Sequence, residues 1–402
     1  MKDKLALSVL TLGHTLVHWY FQGFLLIVPF VIKEFSLSFT QAGLLVAYRT
    51  ILGAIVNIPA GALVDWLGKR RLILAVSILW SAIIYLMVGL SPNYVVLQIM
   101  VALVGIGGST WHPAAMSTLS NRFPERRGFA LSLHEFGANL GDALAPLVIG
   151  IMLVTIGWRQ VLGINAIPGI ALAVALWFLM GKFQESQRIN MDFSKYTAGL
   201  KSLLTNKLLI KLSGISALRT MSQNVINTFL PIYLINVLAM GSDKAGLMIA
   251  LLTLPSLASG LVVGTISDKT GRKSAMAVCL WTSAAMMALL GVFQQGYLFM
   301  GSLVVLGLFL FSVRPVNFAY ALEVTPKDIG ATTVGFIFGL NTAFAALAPI
   351  IAGIVADRVG AVSTFYLGSA LVLGSAILTL TLPKVIRQKK GETVPASVGK
   401  PS

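Results

Sequence analysis

The sequence predicts an all-α integral membrane protein of twelve transmembrane helices, arranged as two pseudo-symmetric six-helix bundles. Composition is the first observation: 56% of the 402 residues are hydrophobic and only 11% are charged, whereas a soluble protein carries roughly a quarter charged residues. The second is a set of long uncharged windows, 5–32, 72–120 and 274–313, because a bilayer span needs about 20 apolar residues. The third is a repeat of sequence features at one fixed offset.

The uncharged windows and the breaks between them place the helices in order. The windows 72–120 and 274–313 are too long for one span, and each contains a polar break, Ser91-Pro92-Asn93 and Gln294-Gln295-Gly296. The first span lacks a small-residue cleavage site and is expected in the mature protein. The predicted helices are 7–32, 41–64, 72–91, 95–119, 128–154, 160–181, 208–238, 244–265, 275–293, 297–320, 330–356 and 362–383.

The basic residues indicate how these helices cross the membrane. With both termini cytoplasmic, most of the 30 Lys and Arg residues lie in cytoplasmic segments, as the positive-inside rule requires. The net charge of +16 is therefore a topology signal, and no nucleic-acid partner is expected. We predict a multi-pass protein of the cytoplasmic (inner) membrane with both termini in the cytoplasm, acting as a monomer in the lipid bilayer.

A repeat at an offset of 203 residues divides the chain into two halves. The run Gly61-x3-Asp65-x2-Gly68-Lys69-Arg70 recurs as Gly264-x3-Asp268-x2-Gly271-Arg272-Lys273, and Pro146-x3-Gly150 recurs as Pro349-x3-Gly353. Parallel repeats of this kind are a known plan of transporters. The predicted organisation is an N-terminal six-helix bundle at 1–181, a cytoplasmic linker at 182–207, a C-terminal six-helix bundle at 208–383 and a basic cytoplasmic tail at 384–402.

The repeated loop has a physical interpretation. Gly68 and Gly271 permit the left-handed turn that ends a helix tightly. Asp65 and Asp268 lie one turn earlier, where a carboxylate can pair with the neighbouring cations or with the N-terminus of another helix. Such contacts are expected to hold the two halves together at the cytoplasmic face; the alternative is that the cations only set the topology.

These loops, between helices two and three and again between eight and nine, resemble the signature of the major facilitator superfamily. The segments Trp111-His112-Pro113-Ala114-Ala115, Arg126-Arg127-Gly128 and Gly137-Ala138-Asn139-Leu140-Gly141 are similar to its fosmidomycin resistance protein group. The resemblance implies the major facilitator fold, with helices one, four, seven and ten around a central cavity. Ala145-Pro146-Leu147-Val148-Ile149-Gly150 departs from the Gly-Pro-x-x-Gly-Gly pattern of antiporters, which weakens the case for export by proton exchange.

Ionisable residues within the predicted spans mark the functional site. A charge at the bilayer centre costs at least ~2.5–3.5 kcal/mol, so such residues usually face the interior of the bundle. Glu135, Asn139 and Asp142 share one face of helix five, and a carboxylate in a low-dielectric cavity can bind and release protons near neutral pH. We predict that Glu135 and Asp142 couple transport to protons. The alternative is a buried ion pair with Arg49 or with an arginine of the other half.

The remaining polar groups of the spans suggest a cavity for a small solute. The resemblance places His18, His112, Arg219 and Arg314 around the central cavity, with helix five beside it. Guanidinium groups hold carboxylate or phosphonate bidentately, so the cavity suits an amphipathic or anionic compound. The full set of predicted cavity residues is His18, Arg49, His112, His134, Asn139, Arg219 and Arg314.

The predicted function is secondary active transport of a small organic solute, drug-like or anionic, by alternating access and proton-coupled efflux. The alternative is proton-linked uptake of an organic anion. Metal-ion transport is less favoured, since His14 and His18 have the spacing of a chelating pair but lack supporting thiols. An enzyme, a cofactor and a resident metal are not expected: the run His134-Glu135-Phe136-Gly137-Ala138 lacks the second histidine of the zinc-protease helix, and no phosphate-binding loop sequence is present.

Overall fold

A computed structural model of the chain describes residues 2–179, 203–325 and 330–383, and within these ranges it contains helices and no strands. The all-α prediction is confirmed. The helices are α1 Lys2–Phe35, α2 Phe39–Leu67, α3 Arg70–Gly89, α4 Tyr94–Arg122, α5 Arg127–Thr155, α6 Trp158–Leu179, α7 Lys207–Ile232, α8 Ser242–Thr253, α9 Ser256–Thr270, α10 Arg272–Phe293, α11 Gly296–Leu310, α12 Val313–Glu323, α13 Gly330–Val359 and α14 Ser363–Leu380.

Eleven spans in the described part of the chain are long and apolar enough to cross a membrane, with α8 joined to α9 and α11 joined to α12. The helix α7 forms the twelfth. Its 26 residues, at about 1.5 Å each, are long enough to cross, but Arg219, Gln223, Asn224 and Asn227 make it too polar to face lipid. It packs against α1, α13 and α14, which cover these polar groups. A π-helical turn, Tyr233–Val237, extends it.

Two spans are broken where the sequence predicts continuous helices over 244–265 and 297–320. A turn at Leu254 and Pro255 interrupts the eighth span between α8 and α9, and a turn at Phe311 and Ser312 interrupts the tenth between α11 and α12. A proline within a helix removes one backbone hydrogen bond and clashes with the carbonyl four residues earlier. Pro255 and Pro315 act in this way, so these two predictions of continuous helix are wrong.

Helices of the same half of the chain pack against one another. In the first half α1 packs against α5, α2 against α4, and α3 against α4 and α6; in the second, α14 packs against α7 and α10. The predicted linker 182–207 lies largely, and the tail 384–402 entirely, outside the described residues. The proposed division into bundles at 1–181 and 208–383 therefore stays a prediction.

The two repeated loops end their helices on glycine. Gly68 closes α2 in the left-handed conformation, with φ of 63°, and its amide donates to the carbonyl of Val64 at 3.1 Å. Gly271 separates α9 from α10 with φ of 92°, and its amide donates to the carbonyl of Ser267 at 3.0 Å. Both positions lie at positive φ, where a side chain is strained. The short connections hold α3 and α10 close to the helices that precede them.

Candidate functional site

The two bundles meet most closely at the end of the molecule opposite the start of α1, which we call the distal end. There α2 packs along α13, and α5 packs along α8. A Cβ atom added at Gly43 would overlap the carbonyl oxygen of Pro349, and one added at Gly246 would overlap that of Pro146. Backbone therefore lies against backbone at both contacts, and the distal end is closed.

An ion pair joins the bundles nearer the terminal end, where α1 begins. Arg314 of α12 donates from Nη2 to Oε2 of Glu135 on α5 at 3.2 Å. Glu135 lies eight residues inside the start of α5, about 12 Å along the helix. The Arg314 side chain is 42% exposed and the Glu135 side chain 47%. The two charges pair with each other, as charges within a membrane usually do. The exposed parts of both side chains border an opening between the bundles, which we call the cleft.

All four histidines of the chain lie together beside this cleft. The His14 ring on α1 stacks on the His134 ring of α5 with centroids 3.9 Å apart. The same His14 ring meets His18 edge-on at 4.8 Å and His112 of α4 at 5.0 Å. Three helices of the first bundle therefore supply one histidine cluster, which we define as His14, His18, His112 and His134.

Hydrogen bonds orient two of these rings. The Nδ1 atom of His18 lies 3.0 Å from Oδ2 and 3.1 Å from Oδ1 of Asp142 on α5. The Nδ1 atom of His14 lies 2.8 Å from the backbone carbonyl oxygen of His134. A carbonyl oxygen and a carboxylate can only accept, so each Nδ1 donates. In a neutral imidazole whose Nδ1 donates, Nε2 is the nitrogen that carries the free lone pair.

The other predicted cavity residues differ in how deeply they are buried and in what they contact. Asn139 is half-buried on α5, one turn from Glu135, whereas His134 is 1% exposed and lies behind His14. The Arg49 guanidinium stacks over the ring of Phe21, 4.2 Å from its centroid. Of the two partners that the sequence suggests for Glu135, the arginine of the other half is therefore the one it contacts.

Arg219 lies inside the second bundle, apart from the Glu135–Arg314 pair. It is 2% exposed, and its guanidinium donates to Gln223 at 2.6 Å, to the Thr220 hydroxyl at 2.8 Å and to the Leu310 carbonyl at 3.4 Å. Leu310 is the last residue of α11, where the tenth span breaks. The contacts named here are all to neutral groups, and the bond to the Leu310 carbonyl joins α7 to the broken helix.

The second signature loop is bound within its own bundle. Arg272 contacts Asp268 at 2.5 Å and Glu323 at 2.9 Å, and Lys273 donates to the Leu380 carbonyl at 2.7 Å, at the end of α14. Gly264 lies on α9 with open space around it. In the first loop Lys69 is exposed and Arg70 is buried, while the side-chain surroundings of Gly61 and Asp65 lie outside the described residues.

Twelve membrane spans within the described residues, packed backbone against backbone at one end and joined across the cleft by an ion pair, define a polytopic membrane transporter. The family model described as Major Facilitator Superfamily matches residues 10–217 and 212–400. The chain belongs to this superfamily, whose members move small solutes and are not enzymes. The predicted resemblance to this superfamily is confirmed.

Similar proteins cover nearly the whole chain. An uncharacterized MFS-type transporter of Bacillus subtilis is 25% identical over 88% of this chain and 87% of its own length. The fosmidomycin resistance protein of Escherichia coli is 23% identical over 94% of this chain and 92% of its own. The hexuronate transporter of Bacillus subtilis is 24% identical over 95% and 96%. These names cover several kinds of substrate.

Solved structures share the fold. The crystal structure of a point mutant of the nucleoside transporter NupG aligns with a TM-score of 0.81 at 13% identity, over 93% of this chain and 99% of that one. A bacterial homologue of the human lysosomal transporter Spinster, in an inward-facing and unoccupied conformation, aligns with a TM-score of 0.78 at 17% identity, over 94% and 95%.

Proposed function

We propose that this protein is a proton-coupled secondary transporter that moves a small organic anion across the cytoplasmic membrane by alternating access, as a monomer. The observation that carries the proposal is the ion pair between Glu135 of one bundle and Arg314 of the other, 3.2 Å apart and open to the cleft. Relative motion of the two bundles would break this ion pair. Arg314 can bind an anion, and Glu135 can bind a proton.

Arg314 is the proposed anchor for the anion. Its guanidinium offers a planar set of donors that matches carboxylate or phosphonate, and its half-exposed position lets a solute in the cleft reach it. His18, His112 and Asn139 would form the neighbouring wall. Arg49, His134 and Arg219 are packed among other side chains, and we assign them to positioning the wall. The name of the hexuronate transporter, which aligns over 95% of this chain, fits an organic acid as substrate.

Competition for Arg314 couples the anion to a proton. An anion that binds Arg314 displaces Glu135, whose carboxylate then lacks the cation that favours its charged form and binds a proton more readily. Proton and anion therefore bind together and travel in the same direction. This order of events favours proton-linked uptake over proton-coupled efflux.

Asp142 has a different role in this scheme. Its carboxylate is bound to His18 of the same bundle, so movement of one bundle against the other leaves that contact in place. We therefore assign proton coupling to Glu135 and assign to Asp142 the positioning of His18.

Proton-coupled efflux of a drug-like compound is the second candidate. The alignment with the fosmidomycin resistance protein over 94% of this chain supports it. A solute that binds Glu135 in place of Arg314 would compete with the proton, and competition of this kind produces exchange in opposite directions.

The distal contacts indicate which way the cleft opens. The closed backbone contacts lie at the distal end, while the exposed pair Glu135–Arg314 lies toward the terminal end. With both termini cytoplasmic, as the charge distribution predicts, the cleft opens inward. The signature loops, with Asp65 and Asp268, would then join the halves only in the opposite conformation.

Transport by purified protein in liposomes tests the proposal. Thermal-shift screening of organic acids, phosphonates and antibiotics first selects a ligand, and a pH-sensitive dye then reports proton flux when that solute is added on one side. We expect proton and anion fluxes in the same direction; opposite directions would establish exchange instead.

The variant Glu135→Gln should lose accumulation driven by a pH gradient while it keeps exchange of solute for solute. Glu34→Gln is the matched control, because Glu34 pairs with Arg159 and Trp158 inside the first bundle and should transport as the wild type does. Proton-driven accumulation that persists in Glu135→Gln would remove Glu135 from the coupling mechanism.

A further inference from the structure

We propose that His14, His18 and His112 bind one divalent transition-metal ion, of the class that includes Zn²⁺, Co²⁺ and Ni²⁺, beside the cleft of the first bundle. The structure brings one ring nitrogen of each within 4.8 Å of the other two. The sequence shows only the His14/His18 pair, one helical turn apart on α1, and the third donor comes from α4. The inference concerns binding and does not depend on the proposed transport cycle.

The distances suit a metal ion after small ring movements. An imidazole nitrogen binds zinc at about 2.0–2.1 Å in a tetrahedral arrangement, so two donor atoms in a filled site lie about 3.3 Å apart. The present separations exceed this value by at most about 1.5 Å. His18 and His112 are only partly buried, so their rings have room to turn toward a shared centre.

The hydrogen bonds already present have the arrangement found around metal-binding histidines. A histidine ligand nearly always donates its other ring N–H to a carboxylate or a backbone carbonyl, which fixes the tautomer and the direction of the ring. His18 donates from Nδ1 to Asp142, and His14 donates from Nδ1 to the backbone carbonyl of His134. In the neutral form of each ring, Nε2 then carries the lone pair that can bind an ion.

A buried nitrogen without a partner points independently to a ligand. The Nε2 atom of His14 is fully buried and makes no hydrogen bond, and the whole side chain is 1% exposed. Buried polar atoms in native proteins are nearly always paired, and exceptions call for an explanation such as an ion. A metal ion held between His14, His18 and His112 would supply the missing partner.

The chemistry of the donors selects the class of ion. Three neutral imidazoles suit zinc, cobalt and nickel, whereas Ca²⁺ and Mg²⁺ prefer oxygen ligands, which this set lacks. Three protein ligands leave one coordination position open. His18, with 24% of its side chain exposed, lies on the side from which an ion would enter.

Metal titration of the purified full-length protein tests the site, with an affinity tag that contains no histidine. Calorimetry with Zn²⁺ and visible absorption with Co²⁺ should give one ion per chain. X-ray absorption of the zinc-loaded protein should show three imidazole nitrogens at about 2.0–2.1 Å. No saturable binding, or an ion with fewer than two imidazole ligands, would overturn the proposal.

Variants separate this site from other places where an ion could bind. His112→Gln and His14→Gln should each weaken binding at least a hundredfold, and Asp142→Asn should weaken it ten- to a hundredfold by releasing His18. Cys279→Ser, which removes the single thiol, and His134→Gln, which removes an imidazole outside the donor set, should keep one ion per chain.

The partly exposed position of His112 makes its substitution the least harmful to folding, and an unchanged gel-filtration profile identifies the folded variants. Full affinity in folded His112→Gln, or loss of the ion in His134→Gln but not in His112→Gln, would overturn the assignment.

Discussion

Asp357, near the end of α13, accepts two hydrogen bonds from Thr40, near the start of α2 in the other bundle. Its Oδ2 atom lies 2.9 Å from the Thr40 backbone nitrogen and 2.6 Å from the Thr40 hydroxyl, and its Oδ1 atom lies 2.8 Å from the Phe39 backbone nitrogen. Ser38 and Gln41 form a capping box at the same helix start. A carboxylate of the second bundle thus binds otherwise unpaired amides of α2, where the helix dipole also favours negative charge.

Asp357→Asn should open the distal end more often. The amide oxygen can still accept, but the NH2 group that replaces the other oxygen cannot, and the negative charge that the helix start attracts is lost. Loss of a capping interaction costs about 1 kcal/mol, which corresponds to a roughly fivefold shift between the two conformations. Electron paramagnetic resonance distances between spin labels at Leu90→Cys and Tyr297→Cys, in a Cys279→Ser background, report the opening of that end.

Glu34→Gln provides the comparison for this experiment. Glu34 is also at the distal end, but its bonds to Arg159 at 2.6 Å and to Trp158 at 2.6 Å stay within the first bundle. Its substitution should leave the label distances unchanged. Equal distances in Asp357→Asn and the wild type would show that the Asp357–Thr40 contact does not control closure.

Close helix packing at the distal end leads to a second prediction. Gly43 and Gly246 lie against the backbone carbonyls of Pro349 and Pro146, and a carbonyl held in a helix cannot turn away from an added methyl group. Gly43→Ala should therefore separate α2 from α13, at a cost of about 1–3 kcal/mol, and should lengthen the same label distances. Gly301→Ala is the control, because Gly301 in α11 has open space around it, and it should change the label distances little. If both variants lengthen these distances, the loss of a glycine, and not the contact with Pro349, causes the opening.

The sequence predicted these contacts only in part. The repeat of Pro146-x3-Gly150 as Pro349-x3-Gly353 showed that the halves are related, but it did not show that each copy packs against the other half. Gly43 and Gly246 are also separated by the repeat offset of 203 residues. Because glycine is common in membrane helices, this pair alone does not indicate close helix packing. The contacts with Pro349 and Pro146 in the structure do.

The membrane spans could be predicted from composition, whereas the contacts of the candidate site depend on how distant helices pack. Uncharged windows located most helices because lipid imposes a length and a polarity on each span. Glu135, by contrast, had several arginines as possible partners, and only the arrangement of α5 and α12 selects Arg314. His112 joins His14 for the same reason, since helices far apart in sequence meet there.

The second signature loop leads to a prediction about stability. Arg272, with 16% of its side chain exposed, binds Asp268 and Glu323 together, so its removal leaves two carboxylates side by side. Because both acids are partly in solvent, which screens them, Arg272→Gln should lower the free energy of unfolding by only about 1–2 kcal/mol. Lys69→Gln, at the equivalent but exposed position, should change it by less than about 0.5 kcal/mol. Chemical unfolding of the purified protein compares them, and equal losses would contradict the structural role of Arg272.

The Glu135–Arg314 pair should serve binding more than stability. Both side chains are more than 40% exposed, and ion pairs in such positions contribute about 0–1 kcal/mol. A double-mutant cycle with Glu135→Gln and Arg314→Gln should therefore give a coupling free energy of unfolding below about 1 kcal/mol. The anion selected by thermal-shift screening should nevertheless bind Arg314→Lys at least tenfold more weakly, because an ammonium group lacks the planar fork of donors. A coupling energy above about 2 kcal/mol, together with unchanged anion affinity in Arg314→Lys, would make the pair a structural tie between the bundles.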